Sequence, residues 1–254
     1  GGARRPPFAG VEAESPQDVV ARVEGDAARP GGRLLTLGAQ DASYVDLDDP
    51  TYLDWPYVRR IGDVIDAVRP ADVLHLGGGA GTLARYVEAT LPRSRQEVVE
   101  IDPVVVALAR EHLGLRSHPR LRVRVGDAAV LLPKRPDATL DLVVCDAFDP
   151  LGTIPPALVT AEFARECARV LRPGGVHVVN VVDTRGLPLA REHAATFASA
   201  FADVAVVVPR AILRHRAGGN VLLLASSARL PLDTLRTAAA SSPDREEVHA
   251  WPLP

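Results

Sequence analysis

The chain has 254 residues, 47% of them hydrophobic and 24% charged, with a formal net charge of −3. That length suits one full domain plus a small appendage, with a core large enough to fold without staples. The charge balance gives no electrostatic ground for nucleic acid as the main partner, and no apolar run reaches the roughly 20 residues that cross a bilayer, so no membrane partner is expected.

The opening GGARRPPFAG carries arginines without the apolar stretch of a signal peptide, and Cys145 and Cys167 sit in apolar runs as reduced core residues would. Both point to a cytoplasmic location. Residues 1–32, rich in Gly, Pro, Arg and Ala, read as a flexible lead-in with one short helix over SPQDVVARVE. Residues 33–56 read as a small β-hairpin region, because GGRLLTLGAQDASYVDL holds two short strands about a glycine turn. A Rossmann-like domain is expected over residues 57–254. It opens with a helix, YVRRIGDVIDAV, whose Val58, Ile61, Val64, Ile65 and Val68 recur at helical spacing until Pro70.

A regular alternation begins at residue 73. Strand VLHL leads to helix TLARYVEATL, strand EVVEI to helix PVVVALAREHL, and strand LRVRVG to helix AAVLL. Strand LDLVVC then leads to helix PALVTAEFARECARVL, and strand GVHVVNVV to helix LAREHAATFASAF. The last strands, VAVVVP and NVLLLAS, are joined by a polar loop with no helix-length insert, which makes them an antiparallel hairpin at one edge. The expected fold class is therefore α/β: a doubly wound, mostly parallel seven-stranded sheet with a terminal antiparallel hairpin. Ligands bind such sheets at the carboxyl ends of the strands, which directs attention to the residues after Leu76, Glu100, Gly126 and Cys145.

Gly77, Gly78, Gly79 and Gly81 follow the first of these strands, where a tight turn brings helix amide groups close to a ligand. The loop is compatible with a dinucleotide, with an S-adenosyl sulfonium compound, or with a plain strand-to-helix turn. Glu100 lies 23 residues after Gly77, where an acid can accept the hydroxyls of an adenosine ribose. Asp127 ends the third strand, placed either to accept from an adenine amino group or to cap the helix that follows. Asp146 and Asp149 stand in DAFDPLG, a loop that the turn formers alone would also explain. The seven histidines show no ligand spacing, so no metal is expected. Lys134, the sole lysine, lies in a surface loop, LPKRPD, and offers no covalent chemistry.

The glycine loop, Glu100 and Asp127 resemble the adenosine site of class I S-adenosyl transferases. With DAFDPLG added, residues 33 to 226 resemble the spermidine synthase-like, or polyamine aminopropyltransferase, family. Its catalytic loop has the form D-x-x-D-P-x-G-P; residues 146–152 match it and Thr153 replaces the final proline. The resemblance implies a cofactor site of Gly77, Gly78, Gly79, Gly81, Glu100, Ile101, Asp127, Ala128 and Asp146. It implies Asp146 and Asp149 as catalytic residues, with Tyr57 and Asp149 holding the acceptor. It also implies decarboxylated S-adenosylmethionine or S-adenosylmethionine as cofactor, a small-molecule amine such as a polyamine as acceptor, and a homodimer. The chemistry is coherent: an amine with a pKa near 10.4 must lose a proton before it attacks, and a desolvated carboxylate can take it.

Three positions depart from that family. Ala80 stands where the family's glycine loop has an aspartate that holds the aminopropyl amine. The family's Y-H-E is here Tyr57-Val58-Arg59, and Ala42 occupies the place of a cofactor-contacting glutamine, with Gln40 two residues away on a hairpin that would have to shift. Arg59 would repel a dication if it faced the pocket. Tyr52, Trp55 and Tyr57 are candidates for an acceptor wall, His75 for a contact with the donor tail, and Asp46, Asp48 and Asp49 for attracting a polycation. Each has an ordinary structural role as its alternative. Aminopropyl transfer leads on these grounds, with methyl transfer, a non-catalytic nucleoside-binding protein and a dehydrogenase as the other readings.

Overall fold

Period-two alternation, not helical spacing, governs the start of the chain. In this computed structural model, which describes residues 8–214, 216–243 and 245–253, β1 (Val11–Glu14) and β2 (Val20–Gly25) pair antiparallel. Ala21 and Val23 are fully buried while Arg22 and Glu24 face solvent, so SPQDVVARVE forms a turn and a strand instead of the expected helix. Residues 11–25 of the expected flexible lead-in are thus sheet; residues 1–7 lie outside the described residues. The expected hairpin, β3 (Gly32–Leu37) and β4 (Gln40–Asp46), completes a four-stranded antiparallel sheet in the order β1-β2-β3-β4. The register slips within that hairpin, from Leu35 opposite Ser43 to Thr36 opposite Asp41, leaving Ala42 as a bulge.

Helix α1 (Pro56–Val68) starts with proline in its first turn and buries Val58, Ile61, Val64 and Ile65. Strand β5 (Asp72–Leu76), helix α2 (Thr82–Thr90), strand β6 (Arg95–Glu100) and helix α3 (Pro103–His112) follow. Next come β7 (Leu121–Val125), the single turn α4 (Ala128–Leu131) and β8 (Leu140–Cys145). The helix expected over residues 156–171 begins later. Pro156–Leu158 form a short 3-10 turn, and Thr160, whose hydroxyl accepts from Phe163 N–H at 3.0 Å, caps α5 (Ala161–Val170). Strand β9 (Leu171–Asp183) and α6 (Pro188–Ala198) lead to β10 (Asp203–Pro209), the turn α7 (Arg210–Leu213) and β11 (Gly219–Ser226).

The seven strands expected from the alternation lie in one sheet, with β10 and β11 antiparallel as expected. An eighth was not anticipated: after α8 (Leu232–Ala240), β12 (Glu246–Ala250) pairs antiparallel with β10 outside the terminal hairpin. Its five residues carry too little alternation to stand out from a charged tail. The order is β12-β10-β11-β9-β8-β5-β6-β7, with β5 to β9 all parallel. One face packs beneath α5 and α6 around Phe163, Phe197 and Phe201, and the other beneath α1 and α8 around Ile61, Ile65 and Leu235. A third cluster glues the N-terminal sheet, through Val23, Leu35 and Val45, to Ala84 and Leu113 of the α2–α3 layer.

One buried carboxylate joins the two sheets. Asp102 accepts from Val104 N–H at 2.8 Å as the cap of α3, and its other oxygen receives the Ser15 hydroxyl and the Gln17 amide, the latter at 3.1 Å. Losing a cap costs about 1 kcal/mol, and stranding buried donors adds about 1–3 kcal/mol. Asp102→Ala is therefore expected to lower unfolding stability by about 2–4 kcal/mol in urea titrations.

Candidate active site

The strand order opens a crevice at the carboxyl edge of the parallel strands, because the chain moves outward in opposite directions from β5 and β8. A cavity of about 1030 Å³ occupies it. The glycine loop forms its floor. Gly77 has φ +72°, and a Cβ there would lie 2.5 Å from Ala147 Cα, so only glycine lets the β5 and β8 loops touch.

Glu100 ends β6 with its side chain turned to that loop. One carboxylate oxygen accepts from the Gly78 and Gly79 amides at 3.2 and 3.1 Å, and the other from Asp102 N–H at 3.1 Å. Burial raises its pKa, opposed by these amides. A carboxylate has about four acceptor sites, so Glu100 keeps room for roughly one further donor, such as a sugar hydroxyl. Ile101 beside it is 56% exposed, an apolar face open to the cavity. Asp127 caps α4 through Ala129 N–H at 2.8 Å with one oxygen, which leaves the second for a ligand, and Ala128 adds a neighbouring amide. A nucleoside fits this donor set. Gly78, Gly79, Glu100, Ile101, Asp127 and Ala128 all line the one cavity. Gly81 does not; it starts α2 at φ +73° and lies against Leu115.

Asp146 projects from the end of β8 into the same cavity. Its Oδ1 accepts from Asn180 Nδ2 at 2.8 Å and its Oδ2 from the Tyr57 hydroxyl at 3.3 Å. Asn220 Nδ2 donates in turn to Asn180 Oδ1 at 3.1 Å, so β11, β9, β8 and α1 meet in one polar chain. Burial pushes the Asp146 carboxyl above the usual range, against the two donors, and pushes the Tyr57 phenol well up, so Tyr57 stays a donor. Asp149 also lines the cavity, but its Oδ1 accepts from Leu151 N–H and Thr153 N–H, both at 2.9 Å. It organises its own loop as much as it addresses a ligand.

Several sequence candidates stand elsewhere. Ala80 is fully buried in the cluster beneath the N-terminal sheet, and its amide donates to the Ser43 hydroxyl at 3.2 Å. Arg59 is turned back onto the carbonyls of Leu53 and Asp54 and does not line the cavity. Tyr52 lies under the Arg29 guanidinium, 3.5 Å from ring centroid to Cζ. Asp46 accepts from the amides of Asp48 and Asp49 and pairs with Arg29, which makes the acidic run a turn. His75 is buried, bonded to Gln96 at 2.8 Å and held down to about 4, a neutral core imidazole. Trp55 and Tyr57 do line the cavity.

Sequence reading missed Gln17, Asn180 and Asn220. Gln17 enters the cavity wall from the β1–β2 turn, which the helix assignment concealed; the asparagines sit in strands without a motif. Gln40, two residues before the bulge at Ala42, lines the cavity, and its Oε1 lies 3.4 Å from where a Gly152 Cβ would be.

A mostly parallel sheet with antiparallel pairing at one edge, a glycine turn and acids after successive strands define a class I methyltransferase-type fold. Residues 61–208 match the spermine/spermidine synthase domain, and the chain belongs to that family. It is similar to a probable spermidine synthase from Corynebacterium glutamicum, with a TM-score of 0.88 and 29% identity over 96% of this chain and 91% of that one. Among curated proteins it is 31% identical to a polyamine aminopropyltransferase of Vibrio vulnificus, over 69% of this chain and 57% of the relative. It is 34% identical to that of Chromobacterium violaceum, over 58% and 57%. The chain thus spans a little over half the length of these curated relatives. Among the described residues no helix is long and apolar enough to cross a membrane, and no group of three or more His, Cys, Asp or Glu could hold a metal ion.

Gly77→Ala would combine a left-handed backbone with a backbone clash. A loss of about 2–4 kcal/mol in unfolding stability is expected, readable as a lowered thermal midpoint.

Proposed function

We propose that the protein transfers an aminopropyl group from decarboxylated S-adenosylmethionine to a small amine acceptor, with Asp146 as proton acceptor. The observation that carries this is the Asp146 carboxylate, buried at the strand end with a raised pKa and two fixed donors. When bound, the sulfonium supplies an activated carbon, so that the nitrogen–carbon bond forms as the carbon–sulfur bond breaks and methylthioadenosine leaves. Glu100, Ile101, Asp127 and Ala128 hold the nucleoside, and the glycine turn seats its tail. Asp146 Oδ2 holds the acceptor ammonium and takes its proton, while Tyr57 and Asn180 keep the carboxylate in place. Asp149 serves the acceptor mainly by fixing the loop from Asp149 to Thr153. The proposal includes a homodimer acting in the cytoplasm without a metal.

Ala80 favours methyl transfer as a second reading, because its buried methyl leaves the glycine loop without an acid for an aminopropyl ammonium. Offering both donors with putrescine separates the two. Methylthioadenosine is expected from the decarboxylated donor, and S-adenosylhomocysteine alone would overturn the proposal in favour of the second reading.

Asp146→Asn is expected to lower kcat by about 100- to 10,000-fold while methylthioadenosine still binds in calorimetry. The acid limb of kcat/KM should lie above the ordinary carboxylate range, since activity falls as pH drops through the raised Asp146 pKa. Tyr57→Phe removes a donor to the carboxylate, so this limb should move to still higher pH.

A further inference from the structure

Beside the main cavity, against the glycine turn, lies a side chamber of about 30 Å³. Ser43, Trp55, Tyr57, Gly77, Gly78 and Asp146 border both spaces, so the two meet along the turn. A volume of that order takes roughly two water-sized groups at most, the size of one small polar head.

Two further residues give the chamber its chemistry. Asp54, from the segment before α1, accepts the Tyr52 hydroxyl on Oδ1 at 2.7 Å, and among the described residues nothing donates to its Oδ2 or forms an ion pair with it. His75, from β5, is 3% exposed. Gln96 Nε2 donates to the Ala84 carbonyl at 3.0 Å, which turns its Oε1 to His75 Nε2 at 2.8 Å. That ring nitrogen therefore carries the proton, and Nδ1 is a bare lone pair. Gln96 stands outside the chamber, so Nδ1 is the polar atom that His75 can offer to it, and no described residue donates to Nδ1.

No described Arg or Lys borders the chamber, and Arg59 donates to the Leu53 and Asp54 carbonyls from outside its lining. Burial keeps His75 neutral, so it does not repel a cation. With the Asp146 carboxylate at the shared border, the polar lining is rich in acceptors and carries negative charge. A buried acceptor calls for a donor, and a primary ammonium brings three N–H groups and the opposite charge. A methyl group would leave these acceptors unmet, and a carboxylate would be repelled with little screening.

We infer that the side chamber seats a primary ammonium on the tail of the sulfonium donor, with Asp54 as the charge that selects it and His75 Nδ1 as a further acceptor. This rests on the adenosyl sulfonium reading above. It assigns to the approach of α1 the acid that Ala80 withholds from the glycine loop, and it disfavours a tail that also bears a carboxylate.

Calorimetry tests it with two probes: decarboxylated S-adenosylmethionine, and the dimethylsulfonium analogue of adenosine, which keeps the sulfonium and has no tail amine. The unmodified protein is expected to bind the first about tenfold or more tightly. Asp54→Asn keeps an oxygen for Tyr52 and removes the charge; it should abolish most of that preference and leave the analogue's affinity unchanged. Equal affinities in the unmodified protein would overturn the inference without any variant having to fold, as would an equal loss for both probes in Asp54→Asn. If no donor yields methylthioadenosine with any amine while the preference persists, the transferase reading fails and this one stands.

Discussion

A carboxylate held out of water is costly unless donors point at it, and the cost at Asp146 organises the centre of the molecule. Asn180 and Tyr57 satisfy it, and Asn220 positions Asn180. Those four side chains come from three strands and a helix, so the sheet order must be right before any of them can meet. The fold provides this through Gly77, whose missing Cβ lets the β5 turn lie against Ala147. The buried Asp146 carboxylate is thus held by contacts that exist only once the sheet is assembled.

The N-terminal sheet is a wall of that site as well as an appendage. Its core is shared with α2 and α3 through Val23, Leu35, Ala84 and Leu113, and its β1–β2 turn is pinned by Asp102. Gln17, Gln40 and Ser43 all reach the cavity from it. Docking of this sheet also explains where Ala80 went: its methyl belongs to the shared core, and the Ser43 hydroxyl accepts its amide. The position that most separates the chain from its family's loop pattern is therefore spent on joining two sheets.

Much of the architecture was legible because parallel strands buried on both faces leave apolar runs, and helices between them leave a 3.6-residue period. Every one of the seven strands read from VLHL to NVLLLAS is present. Residues 11–25 were misread because SPQDVVARVE has spacing that fits either period, and only pairing with β1 and β3 decides it. In the site, strand-end acids were visible as Glu100, Asp127 and Asp146, since motif and topology agree there. Asn180 and Asn220 were not, because an amide inside a strand signals nothing until a carboxylate is found across from it. Asp149 is legible as a loop acid, but its engagement with Leu151 and Thr153 is a matter of backbone geometry.

The bulge at Ala42 bears on how such a pocket diversifies. Strand residues alternate sides, so one extra residue exchanges which of its neighbours faces in, and here it accompanies the placement of Gln40 beside Gly152. Removing the extra residue in β4 would exchange which of its side chains face the cavity while Asp146 and Glu100, carried by β8 and β6, stay in place; the glycine turn is coupled to the same hairpin through Ser43, whose hydroxyl accepts the Ala80 amide. The length of this hairpin, as well as its side chains, therefore sets part of the cavity wall.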